Sequence, residues 1–265
     1  MHMVAPRSYT TQLQAGLGMI NETLDLLRLW ETGDTPARLS ERAISHGTFA
    51  RATARRARNI VAEMFAPRYL GKGDEPVKWL KKLVETGLPM EDLAQLFFIY
   101  TARAQAVFAD FVTEVYWPRY SAGAVRLGRG ESEGFIYRAL DSGRMQKRWT
   151  QSTVRRVTGY ILGCCSDFGL LDPATRADRT IRRFTIRPKV VLYLAHELHF
   201  SGLSDAAVVY HRDWRLFGLE NHESLAEVKK LANDGHLIVQ SSADVVQIAW
   251  KYRNMEECTC ALAQR

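Results

Sequence analysis

Residues 48–70 read TFARATARRARNIVAEMFAPRYL, and their periodicity is that of a helix lying on a core. At about 100° per residue, Ala54, Ala57, Val61, Met64 and Phe65 share one face. Arg51, Arg55 and Arg58 fall opposite them, with Arg56 on the flank. Thr53-Ala54-Arg55-Arg56-Ala57 is matched at an offset of 100 residues by Thr153-Val154-Arg155-Arg156-Val157. There the apolar stripe is Val154, Val157, Ile161, Cys164 and Cys165, with Arg155 opposite and Arg156 on the flank. An apolar stripe backed by arginines is what a recognition helix needs, since one side anchors in the core and the other offers guanidinium groups to phosphates or guanine edges. The same pattern also belongs to wet faces of ordinary helical bundles, and two helices under one amphipathic constraint can share a short match by coincidence.

Working outward, helical periodicity predominates until the last quarter of the chain, so a mainly α fold is predicted. Ile20–Trp30 forms a helix stopped by Thr32-Gly33-Asp34, and 36–45 a short one followed by a turn at Gly47. Residues 50–65 form a longer helix closed by Pro67, giving helix-turn-helix order. Further helices are expected over 76–85 and 89–117, the latter bent or broken near 102–106 because it is long for a globular helix. Residues 118–130 (PRYSAGAVRLGRG) concentrate proline, glycine and small residues, which places a domain boundary there. Two domains follow, 1–120 and 121–265. In the second, 131–142 is a short helix, Gly143 a turn and 150–168 a longer helix, repeating the first domain's order.

After Asp172, residues 179–187 (RTIRRFTIR) alternate apolar and basic side chains over an extended segment, a strand or wing in which Arg182, Arg183 and Arg187 extend a basic surface. Pro188 starts a helix through Phe200, residues 221–234 form another capped by Gly235, and 236–241 with 245–251 make a β-hairpin. Helix, helix, hairpin is winged-helix order. Its long helix carries Glu223, Glu227, Lys229, Lys230 and Asp234, a mixed face suited to packing or a protein partner rather than to DNA.

Lysine plus arginine number 36 against 29 acidic residues, a net charge of +7. Clustering says more than the total: 51–72 holds six basic residues and one acid, Glu63, and 144–156 holds five and none. A solvated charged face ordinarily mixes its signs. The N-terminus lacks the apolar core of a signal peptide, so a reducing cytoplasm is expected. The uncharged run 93–102 (LAQLFFIYTA) is too short for a bilayer, which takes about 20 apolar residues, and reads as a buried helix; no membrane partner is expected. Cys164-Cys165 and Cys258-x-Cys260 have neither zinc-ribbon nor zinc-finger spacing and read as buried thiols.

Four constellations invite a catalytic or ligand reading. His196-Glu197-Leu198-His199 is a fragment of a zincin motif with its histidines three apart instead of four, so an exposed or half-buried pair is expected. His211-Arg212-Asp213 offers acid and base but no nucleophile or second carboxylate. Leu127-Gly128-Arg129-Gly130 has no strand-then-helix context and no P-loop lysine. Trp79, Trp117, Trp214 and Trp250 read as core or interface, with Trp149, beside Lys147-Arg148, the exception suited to base stacking. The expectation is a non-catalytic protein with no metal and no cofactor.

SYTTQLQAGLGMINETLDLLRLWETG (residues 8–33), followed by the 48–70 stretch quoted above, resembles the N-terminal signature of the BrxA family, most clearly over residues 8–70. The resemblance implies an accessory component of BREX phage-defence systems, acting beside a methyltransferase, an ATPase and other BREX components. It also implies a helical architecture similar to small nucleic-acid-binding bundles, with DNA binding as the activity, and carries over no catalytic residue. The contact residues rest instead on the helix reading: Arg51, Arg55, Arg56, Arg58, Lys147, Arg148, Arg155 and Arg156, gripping the phosphates of double-stranded DNA with little sequence preference. The alternatives are a protein–protein assembly factor docking other BREX subunits, a transcriptional regulator reading an operator, and an RNA-binding protein.

Overall fold

A computed structural model describes residues 8–11, 18–49, 52–71, 73–145, 147–173, 178–242 and 245–263. The fold is mainly α, with two small antiparallel strand pairs. Three helices begin where a threonine supplies a cap. The Thr35 hydroxyl accepts the Arg38 N–H at 3.3 Å ahead of Pro36–Ser45, Thr53 accepts the Arg56 N–H at 3.2 Å, and Thr150 accepts the Thr153 N–H at 3.3 Å. Such caps satisfy N–H groups that the first helical turn leaves without partners. Gly33, Gly47 and Gly143 hold φ between +62° and +83° at the turns where the sequence placed them.

Two prolines do not end helices as expected. The helix starting at Ala54 runs on through Pro67 to Tyr69, and the one starting at Ala106 runs through Pro118 to Ser121. Both widen into a π turn just before the proline, over Ile60–Phe65 and Val112–Tyr116. The Ala66 N–H bonds the Val61 carbonyl and the Trp117 N–H bonds the Val112 carbonyl, each five residues back. That widening accommodates a ring that would otherwise meet the carbonyl of the preceding turn. The two sites share a motif, Glu63-Met64-Phe65-Ala66-Pro67-Arg68-Tyr69 and Glu114-Val115-Tyr116-Trp117-Pro118-Arg119-Tyr120, a second short repeat beside the one at offset 100.

Two compact units are present, each assembled from two chain segments: 1–74 with 97–184, and 75–96 with 185–265. This differs from a division at residue 120, because residues 118–130 are not a linker. Pro118 lies inside a helix, and Arg126–Gly128 is a strand paired with Asp178–Thr180. The N-terminal segment is tied into the same unit, with the Tyr9 N–H on the Arg144 carbonyl at 2.9 Å and the Gly18 N–H on Asp167 at 2.8 Å. The first unit's core includes Leu26, Leu27, Val61, Phe65, Tyr69, Phe97, Phe98, Phe108, Phe111, Ile136, Val157 and Ile161. Each fully buried Leu, Ile or Phe contributes about 1.5–3 kcal/mol.

The second unit centres on Pro188–Phe200, whose Val191, Leu194, Ala195 and Leu198 are buried as the pattern predicted. Asp205–Val209, the 3₁₀ turn Arg212–Phe217 and Asn221–Asn233 follow. The hairpin pairs Leu237–Ser242 with Val245–Trp250. Asp205 anchors it, accepting the Ile248 N–H at 2.8 Å and the Trp250 indole N–H at 3.0 Å. The closing helix Met255–Ala263 was not foreseen. In the same unit, Asp92 binds the Arg187 guanidinium at 2.5 Å and Gln95 binds the backbone of Thr185 and Arg187, so Arg187 is structural rather than part of a free basic surface.

Candidate nucleic-acid interface

The first unit holds 24 basic and 15 acidic residues, a net +9, and the second 12 and 14, a net −2. The whole-chain excess of +7 therefore resides in the first unit. Both basic clusters of the sequence lie there. Arg55, Arg56 and Arg58 are exposed on the first turns of the helix that begins at Ala54, while Ala57, Val61, Met64 and Phe65 are buried beneath. Ala54, expected on the buried face, is exposed because it occupies the helix's first position, outside the core. Arg51 lies outside the described residues.

Lys147 and Arg148 are exposed in the connection after Gly143, and Arg155 and Arg156 are exposed on Gln151–Asp167 above the buried Val154, Val157, Ile161, Cys164 and Cys165. The offset of 100 preserves this burial phase from 57/157 through 65/165. It does not preserve the caps, since Thr53 precedes its helix whereas Thr153 lies inside the later one, which starts at the Thr150 cap.

Among the described residues, none of these seven cationic side chains makes an ion pair or side-chain hydrogen bond. Other arginines of the unit are engaged: Arg42 with Glu31 and Asp34, Arg119 with Glu131, Arg129 with Glu133, Arg144 with Glu114 and Asp110, Arg182 with Asp172. A paired guanidinium must break its bond to reach a phosphate; an unpaired one need not. Arg129 links helix to helix, donating to the Arg155 carbonyl at 3.3 Å. Arg126 and Arg183, on and beside the small strand pair, are also exposed without a carboxylate partner among the described residues. Arg126 was overlooked because one arginine in a three-residue strand has no periodicity to mark it.

The Leu127–Gly130 run does span a strand-to-helix junction, from Arg126–Gly128 into Arg129–Asp141. That helix end is nonetheless occupied by carboxylates. Glu131 accepts the Gly128 N–H at 3.1 Å, and Asp178 Oδ1 lies 2.6 Å from where a Cβ on Gly128 would stand. His196 is fully buried, contrary to expectation, its Nδ1 bonded to the Leu192 carbonyl at 2.9 Å. His199 stacks on Trp250, with ring centroids 4.3 Å apart. Burial pushes His196 down to about 4, aided by the nearby His199 and His236. Among the described residues, no three His, Cys, Asp or Glu side chains form a metal-ligating group. Cys164, Cys165 and Cys258 are buried, and burial pushes the Cys164 thiol up to about 12. Cys260 is exposed and accepts from Lys82 Nζ at 3.0 Å. Trp149 is half-buried, and Trp214 is core. No described helix is long and apolar enough to cross a membrane.

The structure is similar to a crystal structure described as an uncharacterized protein from Magnetospirillum magneticum, with a TM-score of 0.61 and 13% sequence identity. The likeness covers 79% of this chain and 97% of that one, and at this identity it speaks for the fold alone. A comparison with curated proteins returns no match. The BrxA family model matches residues 7–197, well over half of the chain and nearly all of the cationic unit. The chain therefore belongs to the BREX-associated BrxA family.

Proposed function

We propose that this protein is a non-catalytic accessory component of a BREX defence system that binds double-stranded DNA with little sequence preference. Its contacts are Arg51, Arg55, Arg56, Arg58, Lys147, Arg148, Arg155 and Arg156. One observation carries the reading: seven described cations stand exposed and unpaired on two helices and the connection leading into the second, in a unit whose net charge is +9. The helix pairs 36–45 with 54–69 and 129–141 with 151–167 are each read as a helix-turn-helix. Phosphate neutralisation releases counterions, so about five contacts give a slope of log affinity on log salt near −4 to −5.

Fluorescence anisotropy against unrelated duplex DNA, duplex RNA and single strands, at several salt concentrations, tests this. Salt-steep binding to every duplex DNA is expected. Reversing Arg55 and Arg155 to glutamate should abolish it while leaving circular dichroism unchanged. Unaltered affinity in that folded double variant would falsify the assignment, tighter binding to RNA would change the substrate, and a strong operator preference would favour a transcriptional regulator.

A second reading, assembly with other BREX components, is favoured by the second unit. A cavity of about 750 Å³ there is lined by Trp79, Phe200 and Met255 among charged neighbours, within the volume range of binding clefts. Co-purification of another BREX subunit after nuclease treatment would support it.

A further inference from the structure

Arg144 opens the basic run 144–156 but differs from the cations after it. Its Nη1 lies 2.7 Å from Glu114 Oε1, 3.5 Å from Asp110 Oδ2 and 3.0 Å from the Tyr9 hydroxyl oxygen. The Tyr9 hydroxyl in turn donates to Asp110 at 2.7 Å, and the Tyr9 N–H donates to the Arg144 carbonyl at 2.9 Å. Tyr9 is only 4% exposed and its ring stands 6.2 Å from that of Phe135. A residue outside any helix or strand thus holds Arg144 by both main chain and side chain. One phenol oxygen serves as donor and acceptor at once, a role phenylalanine cannot fill.

Arg144 follows Gly143, whose φ of +74° turns the chain out of Arg129–Asp141, and Lys147 and Arg148 come three and four residues later, before the Thr150 cap. Lys147 and Arg148 therefore lie between two anchored residues, Arg144 in the Tyr9 cluster and Thr150 at the helix cap. Two carboxylates already engage Arg144, which makes it a structural cation despite its place in the run.

We propose that Tyr9, Asp110, Glu114 and Arg144 form a clamp that positions Lys147 and Arg148 on DNA phosphates, Tyr9 being the positioning residue. The inference rests on the DNA-binding reading. Holding Arg144 before binding leaves less backbone freedom to lose in the complex, which conserves affinity.

The test is Tyr9→Phe in the full chain, measured by anisotropy on one duplex across salt, beside Lys147→Ala/Arg148→Ala and the combination of all three. Tyr9→Phe is expected to weaken binding about five- to tenfold, to shallow the salt slope by about 1 to 2, and to add nothing to the loss from Lys147→Ala/Arg148→Ala. Amide exchange should quicken over 144–150 while the helices stay protected. A Tyr9→Phe protein with wild-type affinity and slope, or losses that simply add, would overturn the clamp. Glu114→Gln, which keeps an acceptor and removes one charge, should move the same readouts less and serves if Tyr9→Phe does not fold. If Arg55→Glu/Arg155→Glu leaves affinity unchanged, the DNA reading fails on its own. Exchange over 144–150 then still reports whether Tyr9 holds the connection.

Discussion

The helix pair 129–141 and 151–167 and the segments 205–217 and 221–233 are each two helical stretches joined by a turn and accompanied by two antiparallel strands. They differ in where their charges go. On the first, Arg155 and Arg156 face outward without carboxylate partners among the described residues. On the second, Lys230 is 2.6 Å from Glu227, and Glu223 is spent on the helix start, accepting the Glu220 N–H at 2.8 Å. The first thus leaves Arg155 and Arg156 unpaired, whereas the second pairs Lys230 and uses Glu223 at its own start. The fold alone does not tell them apart; the pairing of side chains does.

The largest expected difference between the units is their response to acid. His196 is fully buried in the second unit and held near 4, against an ordinary value near 6.5. His199, His236 and Lys251 face the same cluster or its members, and burial also lowers His199 and His236. The folded state prefers neutral imidazole, so the unfolded state binds more protons between those values. The resulting stability is present above about pH 6.5 and is lost as pH falls through 4, roughly 3 kcal/mol for His196. No described histidine of the first unit is buried. Amide exchange from pH 7 to 4 should therefore loosen 188–250 before the 151–167 helix. Loosening of both together would remove the distinction.

A smaller effect comes from neutralising each helix. Arg155→Gln with Arg156→Gln should weaken duplex binding about tenfold, equivalent to about 1.4 kcal/mol, whereas Lys229→Gln with Lys230→Gln should change it less than twofold. Equal losses from the two pairs would contradict the assignment of DNA contacts to the first unit. Smallest is the cap: Thr150→Ala should cost about 1 kcal/mol in thermal unfolding by freeing the Thr153 N–H.

Much of the local structure was legible because it depends on neighbouring residues. Pro36–Ser45 and Pro188–Phe200 begin and end where proline, threonine and apolar spacing placed them. The break between Ala104 and Ala106 fell where helix length suggested. Pro67 and Pro118 misled because a π turn absorbs the ring, and whether a helix widens or stops depends on what packs around it. Met255–Ala263 was missed because MEECTCALA is short and its buried residues, Met255, Cys258, Thr259 and Leu262, include no run of strongly apolar side chains. At the candidate interface the arginine face was readable from periodicity. The separation of Arg144 from Lys147 and Arg148 was not, since it depends on carboxylates 30 and 34 positions earlier and a tyrosine 135 earlier.

By itself the sequence determined the mainly α class, the capped helix starts, the amphipathic arginine helices and the family resemblance, because each is written in spacing over a few residues. The tertiary structure decided which segments share a unit, which cations remain unpaired and which histidine is buried. Those depend on hydrogen bonds, ion pairs and desolvation between residues far apart in the chain, and no local pattern encodes such distances.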